Sequence, residues 1–413
     1  MKAAAWRATF AATALMGVTM GSRSAFGLFL SPLNGATGIG MGVVSLAVAL
    51  GHLALGLSQP GVAGLAERHG AARVIVGGAA VLAASTALLA FAHDAWGFAA
   101  LVVAMAVAGS ALGSNAMLMG EVGRRVPARV QGLAAGIVGA GGSAGQLVFG
   151  PVTQWLIGDV GWRAALWATA AVTLIAVPVA RVFARPAGAA PAGAAPQAAS
   201  TMLRQVLADR RFQLIAASFA MCGFHVAFLT THMPGVMALC GLPASLSGTW
   251  LAVAGASNIV GSIGVGMAMK RWSSPTLLAL LYGTRAAAIA ALLLAPATSA
   301  TLLAFGVVMG LTYLAPLGPT AELVARHFGV QRLGTLFGVV MVAHQAGSFA
   351  GAWLGGVAVD SWHSYTPLWI ADGALALAAA LLQWPLATGI RATPPSAAPR
   401  RSACAARPAA PGV

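Results

Sequence analysis

Charge is what this 413-residue chain has least of: Asp, Glu, Lys and Arg together make up 8% of it, against 59% hydrophobic residues. Soluble domains carry about 25% charged residues, so a water-soluble globular protein is excluded and a polytopic membrane protein is expected. Acids are scarcer than bases, 8 Asp and Glu against 23 Lys and Arg. Cysteine is nearly missing as well, and Cys222, Cys240 and Cys404 stand in unrelated segments, which leaves neither a disulfide framework nor a metal site. No nucleophile–base constellation stands out either. An enzyme is not expected, and no cofactor or metal is called for.

What the chain does have is long apolar runs. Spans need about 20 mostly apolar residues each, and twelve can be drawn, at about 8–30, 41–63, 73–92, 96–118, 131–157 and 164–183, then 212–235, 246–268, 276–295, 300–320, 333–357 and 367–388. Lys2 and Arg7 before the first run imitate a signal peptide, but the run continues past Phe26 without a cleavage pattern, so a retained helix is expected. The predicted fold is all-α and integral to the membrane, twelve transmembrane helices in two six-helix halves. Residues 1–184 form the N-terminal bundle and 212–390 the C-terminal one. An Ala/Pro/Gly linker with a short amphipathic helix covers 185–211, and a disordered tail covers 391–413. With the N-terminus inside, twenty of the 23 basic residues fall on the inner face and only Arg163 on the outer one. The positive-inside rule then puts both termini in the cytoplasm, and this distribution reads the net charge of +15 as topology, not as nucleic-acid binding.

The two halves repeat. At an offset of 202 residues His225 falls under Arg23 and Pro234 under Pro32, Gly64 matches Gly266, Gly136 matches Gly338, and Gly145 matches Gly347. Two parallel six-helix repeats with a site between them are a transporter plan. After the second span, Gly64-Leu65-Ala66-Glu67-Arg68-His69-Gly70-Ala71-Ala72-Arg73 resembles the loop signature of the major facilitator superfamily, with Glu67 in the acidic place. That resemblance implies a gate on the inner face made by Gly64, Glu67, Arg68 and Gly70, the glycines permitting a tight turn and close helix approach. Span five carries Gly136, Gly139, Gly141, Gly142, Gly145, Gly150 and Pro151, either plain packing or a pivot. Met105 stands where drug/proton antiporters of the superfamily carry an arginine in span four.

Several stretches together resemble the bacterial monocarboxylate-transporter-like branch: Gly21 to Pro32, Gln131 to Gly136 running into Ala140 to Ser143, Gly223-Phe224-His225 with Thr231 to Pro234, and Gly334 to Gly338 with His344-Gln345. The resemblance covers 8–388. It implies transport of small carboxylates, by proton symport or exchange, across a bacterial cytoplasmic membrane by a protein acting as a monomer. One departure matters. Animal monocarboxylate transporters carry Asp and Arg four residues apart in span eight, where Asn258 and Ser262 stand here, so their coupling mechanism does not transfer.

The polar residues inside spans are therefore weighed by themselves. Arg23 sits where a lipid-facing helix would lose at least ~2.5–3.5 kcal/mol, so it faces protein or water. The eight acids lie in loops or at span ends, Asp372 deepest, and none is expected at mid-depth to neutralise Arg23. A substrate anion would supply the missing charge; the competing reading has Arg23 bonding carbonyls or an end-of-helix acid. Candidate substrate contacts are Arg23, His225, Asn115, His344, Phe26 and Tyr313, with Phe29, Phe228 and Trp250 either walling the site or filling the core. Arg23 and His225 are expected to face each other, bridged by substrate, with His225 as proton site and His344 as its alternate; each histidine has the rival reading of a helix-to-helix hydrogen bond. A gate role is open for His232, ordinary packing for His52, and a structural role for Arg285. The rival functions are a drug or neutral-metabolite exporter, disfavoured by the lack of a cation-binding carboxylate, and a non-transporting membrane ligand sensor, disfavoured by the lack of a signalling domain.

Overall fold

The computed structural model describes residues 2–113, 115–127, 130–184, 203–329 and 332–387, the side chains of 2–5, 115 and 116 excepted. The expected linker segment 185–202 and the tail lie outside them; 203–208 are helical. Backbone polar groups in a bilayer have no water to bond, so an apolar chain must satisfy them along helices. Eleven helices among the described residues are long and apolar enough to cross. They are α2 Met41–His69, α3 Ala71–Phe91, α4 Ala95–Arg125, α5 Gln131–Asp159 and α6 Trp162–Phe183, then α7 Arg210–Leu239, α8 Ser245–Ala268, α9 Ser274–Leu294, α10 Ser299–Phe328, α11 Leu333–Trp362 and α12 Thr366–Ala387. The twelfth place belongs to α1, Lys2–Ala25, continued by Gly27–Thr37 after a turn at Phe26. Its Thr, Gly and Ser residues and Arg23 keep α1 less apolar than the others.

Helix ends are set locally. Asp209, Ser273 and Thr298 cap α7, α9 and α10 by accepting from backbone N–H groups of Arg211, Thr276 and Thr301, as short polar side chains do at N-termini. Between α2 and α3 the chain turns on Gly70 alone, at φ +87. The turn therefore comes later than the sequence suggests: Gly64 is not part of it but lies inside α2 with open space around it.

Within each half, small residues let helices touch backbone to backbone. A Cβ on Gly145 of α5 would collide with the carbonyl of Gly17 in α1, and one on Gly347 of α11 with that of Ala220 in α7. These equivalent contacts hold the two repeats to one plan, and they assign Gly141, Gly142 and Gly145 to packing against α1. Aromatic residues fill the C-terminal core. Trp369 meets Phe228 edge-on at 4.7 Å and Phe305 at 5.4 Å, while Phe29, Phe228 and Trp250 are each 1% exposed. Those three belong to the core and wall no site.

The halves meet along two seams, α2 against α11 and α5 against α8. Each seam is closed at one end. Asp360 accepts from the Gly42 N–H at 2.7 Å, Gly356 lies against Ser45, and Gln345 against Gly56. On the other seam Gly248 meets Gly150 and Gln154, Gly255 meets Ser143, and Asn258 donates to Ser143 Oγ at 2.8 Å. Continue down the same helical stripes, toward the ends that carry Arg68, Arg124, Arg125, Lys270 and Arg332, and contact stops. A Cβ on Gly136 or Gly139 of α5, Gly266 of α8, Gly64 of α2 or Gly334 or Gly338 of α11 would meet nothing within 4 Å. Among the described residues the molecule is a V, sealed at one face and open at the basic face.

Candidate functional site

At the level where the seams part, two helices lose their regularity. In α1 the Phe26 N–H bonds back three residues to Arg23 O at 3.3 Å, the tightened pattern that often marks a functional position inside a helix. In α10 the helix stops at Thr312 and restarts at Leu317, either side of Tyr313 to Pro316. Non-helical backbone at membrane depth persists only where protein or a water-filled space satisfies it. Two side chains do so here. Arg285 of α9, 1% exposed, donates through Nη2 to the carbonyls of Thr312 and Tyr313, the latter at 3.0 Å, through Nε to Thr312 Oγ1 at 3.3 Å, and through Nη1 to Cys222 Sγ at 3.1 Å. Asn258 of α8 accepts from the Leu314 N–H at 3.0 Å. Because Asn258 also donates to Ser143, one fully buried amide joins the broken helix to the innermost link of the seal.

Arg23 projects into this region from α1. Among the described residues it has no hydrogen-bond or ion-pair partner, and it is only partly buried. Its charge acts on His52 of α2, on His344 of α11 and on Tyr313 at the α10 break. Each of these three is also only partly buried. Gln345 completes the group beside Gly56, its side chain buried and within reach of both His52 and His344. The outcome is a cation, two imidazoles, a phenol and an amide drawn from both halves, an arrangement of donors that suits an anion.

The expected pairing of Arg23 with His225 is not what the structure shows. His225 is 2% exposed and pairs through Nδ1 with Asp372 Oδ2 of α12 at 2.6 Å, its Nε2 lying 3.1 Å from Met309 Sδ. Asp372 is fully buried, so the expectation of no carboxylate at depth is corrected too: there is one, and His225 holds it. The reason is reach. The repeat makes the two backbone positions equivalent, but the short imidazole ends on Asp372 inside its own half, whereas the charge of the longer arginine acts on residues of both halves.

The remaining candidates divide. His344 and Tyr313 lie with Arg23, His344 also stacking beside Phe219 at 4.8 Å between centroids. Phe26 sits at the α1 turn, 6.3 Å from Phe29. The side chain of Asn115 lies outside the described residues. Glu67 and Arg68 are exposed at the open face, and nearby Glu121 carries ion pairs to Arg124 and Arg125. His232 ties helices together through Ala352 O at 2.7 Å and Tyr365 at 3.3 Å. His52, expected in ordinary packing, lies within range of the Arg23 charge; Asp372, expected at a span end, lies buried; and span ten, drawn straight from sequence, breaks where Pro316 and Pro319 mark it.

Twelve membrane helices in two like halves around a central polar site define a transporter. A family model described as the Major Facilitator Superfamily matches residues 12–313, and the chain belongs to that superfamily, whose members are transporters and not enzymes. Among solved structures the chain is similar to a bacterial homologue of the human lysosomal transporter Spinster in an inward-facing, unoccupied conformation, at 15% identity and TM-score 0.70, covering 93% of this chain and 95% of that one. It is similar to a D-xylose–proton symporter at 15% identity and TM-score 0.71, covering 92% and 97%. The inward-facing, occupied form of the Spinster homologue matches at 13% and 0.72, covering 92% and 96%. No curated protein matches.

The double role of Asn258 gives a stability prediction. Asn258→Ala strands the Leu314 N–H and should cost about 1–3 kcal/mol, whereas Ser143→Ala removes only the link between halves and should cost less. Thermal unfolding of the purified proteins checks the order; equal midpoints for Asn258→Ala and the parent would show that the break is held without it.

Proposed function

We propose that this superfamily member is a secondary transporter of small organic anions, monocarboxylates foremost, working by alternating access in a bacterial cytoplasmic membrane as a monomer. The observation that carries the reading is Arg23, a cation at membrane depth with no acid near it. A buried charge is tolerated when paired, and a carboxylate offers a guanidinium two parallel hydrogen bonds. His52, His344 and Tyr313 stand where they can donate to the same anion. With α1 and α2 from one half and α10 and α11 from the other, a bound anion would draw the halves together around itself, which is what alternating access requires of a substrate. An exporter of cations finds no support, because the one deep carboxylate is committed to His225.

If the basic face is cytoplasmic, as the positive-inside rule directs, the open V is an inward-facing state and both termini are cytoplasmic. The exposed Glu67 and Arg68 then belong to a gate that forms only when the inner ends close, turning on Gly70 with Gly64 free to meet a partner helix.

Two experiments test this reading. In proteoliposomes given a panel of labelled monocarboxylates, with and without a pH gradient, uptake should occur and should fall sharply in Arg23→Lys, which keeps charge but loses the planar fork, and further in Arg23→Ala. A folded Arg23→Ala protein that transports normally, or is stabilised normally by the transported carboxylate, contradicts the assignment. For the gate, Glu67→Gln should raise labelling of an inner-face cysteine by a water-soluble maleimide. Unchanged labelling removes Glu67 from that role.

A further inference from the structure

The His225–Asp372 pair is used by nothing described so far. It lies inside the C-terminal half, apart from the Arg23 group, and its hydrogen bonding counts its protons. A thioether sulfur accepts hydrogen bonds and cannot donate one, so the 3.1 Å contact of His225 Nε2 with Met309 Sδ is a hydrogen bond in the form of the ring that carries a hydrogen on Nε2. The 2.6 Å contact between Nδ1 and Asp372 Oδ2 needs one as well. Whether that second hydrogen belongs to the ring or to the carboxyl, the state of the pair that makes both bonds holds one proton more than an ionised carboxylate beside a neutral imidazole. The other carboxyl oxygen, Oδ1, is buried with no partner.

We propose that His225 and Asp372 form the proton-binding site of a proton-coupled transporter, with the broken helix α10 linking it to the anion site. The inference rests on the anion reading for what is co-transported, and on the pair alone for where the proton sits. The groups around the pair are few. α9 brings Arg285, close enough for its charge to act on both His225 and Asp372, with Tyr282 beside it. α10 brings Met309, and α7 itself brings Cys222, bonded to Arg285. From α11 His344 lies within electrostatic range of Arg285 and of Arg23.

Loss of the extra proton to water leaves a neutral imidazole and a carboxylate. If the remaining ring hydrogen stays on Nδ1 toward Asp372, the Nε2 lone pair then faces the sulfur lone pairs of Met309, a repulsive contact one turn before the α10 break. At the same time the pair goes from net neutral to net negative opposite Arg285, whose donors hold the Thr312 and Tyr313 carbonyls. Both changes bear on α10 at Tyr313, the residue that faces Arg23. A proton on the pair and an anion at Arg23 thus act on one short segment from opposite sides, the physical requirement for each to alter the other's binding. When the proton returns, it restores the donor toward Met309.

The test needs no transported substrate. Cys240 and Cys404 are replaced by Ser, and spin labels are placed at Gly136→Cys on α5 and Gly266→Cys on α8, across the open end of one seam where both sites have room. Electron–electron double resonance distances are recorded between about pH 8 and pH 6, the interval in which histidine usually changes charge. The parent should show a pH-dependent shift between long and short distances, and this dependence should be lost in His225→Gln and in Asp372→Asn. Should Asp372→Asn not fold, the double variant His225→Gln/Asp372→Asn, in which two amides can re-form the hydrogen bond, takes its place and should also be flat. A parent without pH dependence, or variants that retain it, overturns the proposal. A failure of the anion reading would appear separately, as absent uptake of the carboxylate panel.

Discussion

The structure depends on one unpaired guanidinium. An arginine inside a membrane costs at least ~2.5–3.5 kcal/mol on insertion scales unless protein, water or a ligand answers it. Arg23 is answered by no acid among the described residues, and the groups on which its charge acts are two histidines and a tyrosine. The rest of the fold can be read as the means of keeping that charge at the parting of the two halves. Among the described residues the halves diverge on the side of the basic face and are sealed on the other.

The second constraint is backbone. The α10 break exposes carbonyl and amide groups where no lipid could satisfy them, and Arg285 and Asn258 cover them from neighbouring helices. A buried cation that binds carbonyls is costly to lose, since removing one partner of a buried charged interaction typically costs ~3–5 kcal/mol. That expense is reasonable if the break has a use. It presents Tyr313 to Arg23, and through Asn258 it is tied to the link with Ser143 that a change of state must break. A regular helix at this place would offer neither.

Much of the architecture was legible in the sequence because it follows from long-range regularities. Apolar runs gave the spans, basic residues gave one face its character, and the repeat reappears as the like contacts Gly17–Gly145 and Ala220–Gly347, the second shifted by one residue from the 202 offset. What was not legible depends on side-chain length and helix rotation. Equivalence of Arg23 and His225 is a statement about backbones, and it could not show that one side chain stays without a partner among the described residues while the other stops at Asp372. Asp372 looked terminal only because span twelve was drawn from its beginning. His52 was undervalued for a similar reason: membership of α2 said nothing about which face meets α11. The α10 break had a local signal in Pro316 and Pro319, outweighed by the apolar run around them.

Asymmetry between the halves is the functional point. One equivalent position leaves its cation without an acid among the described residues and the other pairs with Asp372, so on the reading proposed above the repeat would provide an anion site and a titratable pair on a single plan. The account stands or falls on the first of these. A structure determined with the best-transported carboxylate of the panel bound should show its carboxyl oxygens within hydrogen-bond distance of the Arg23 guanidinium, with His52, His344 or Tyr313 completing the shell. A carboxylate bound elsewhere, with Arg23 left as it is or paired to a protein acid, would contradict it.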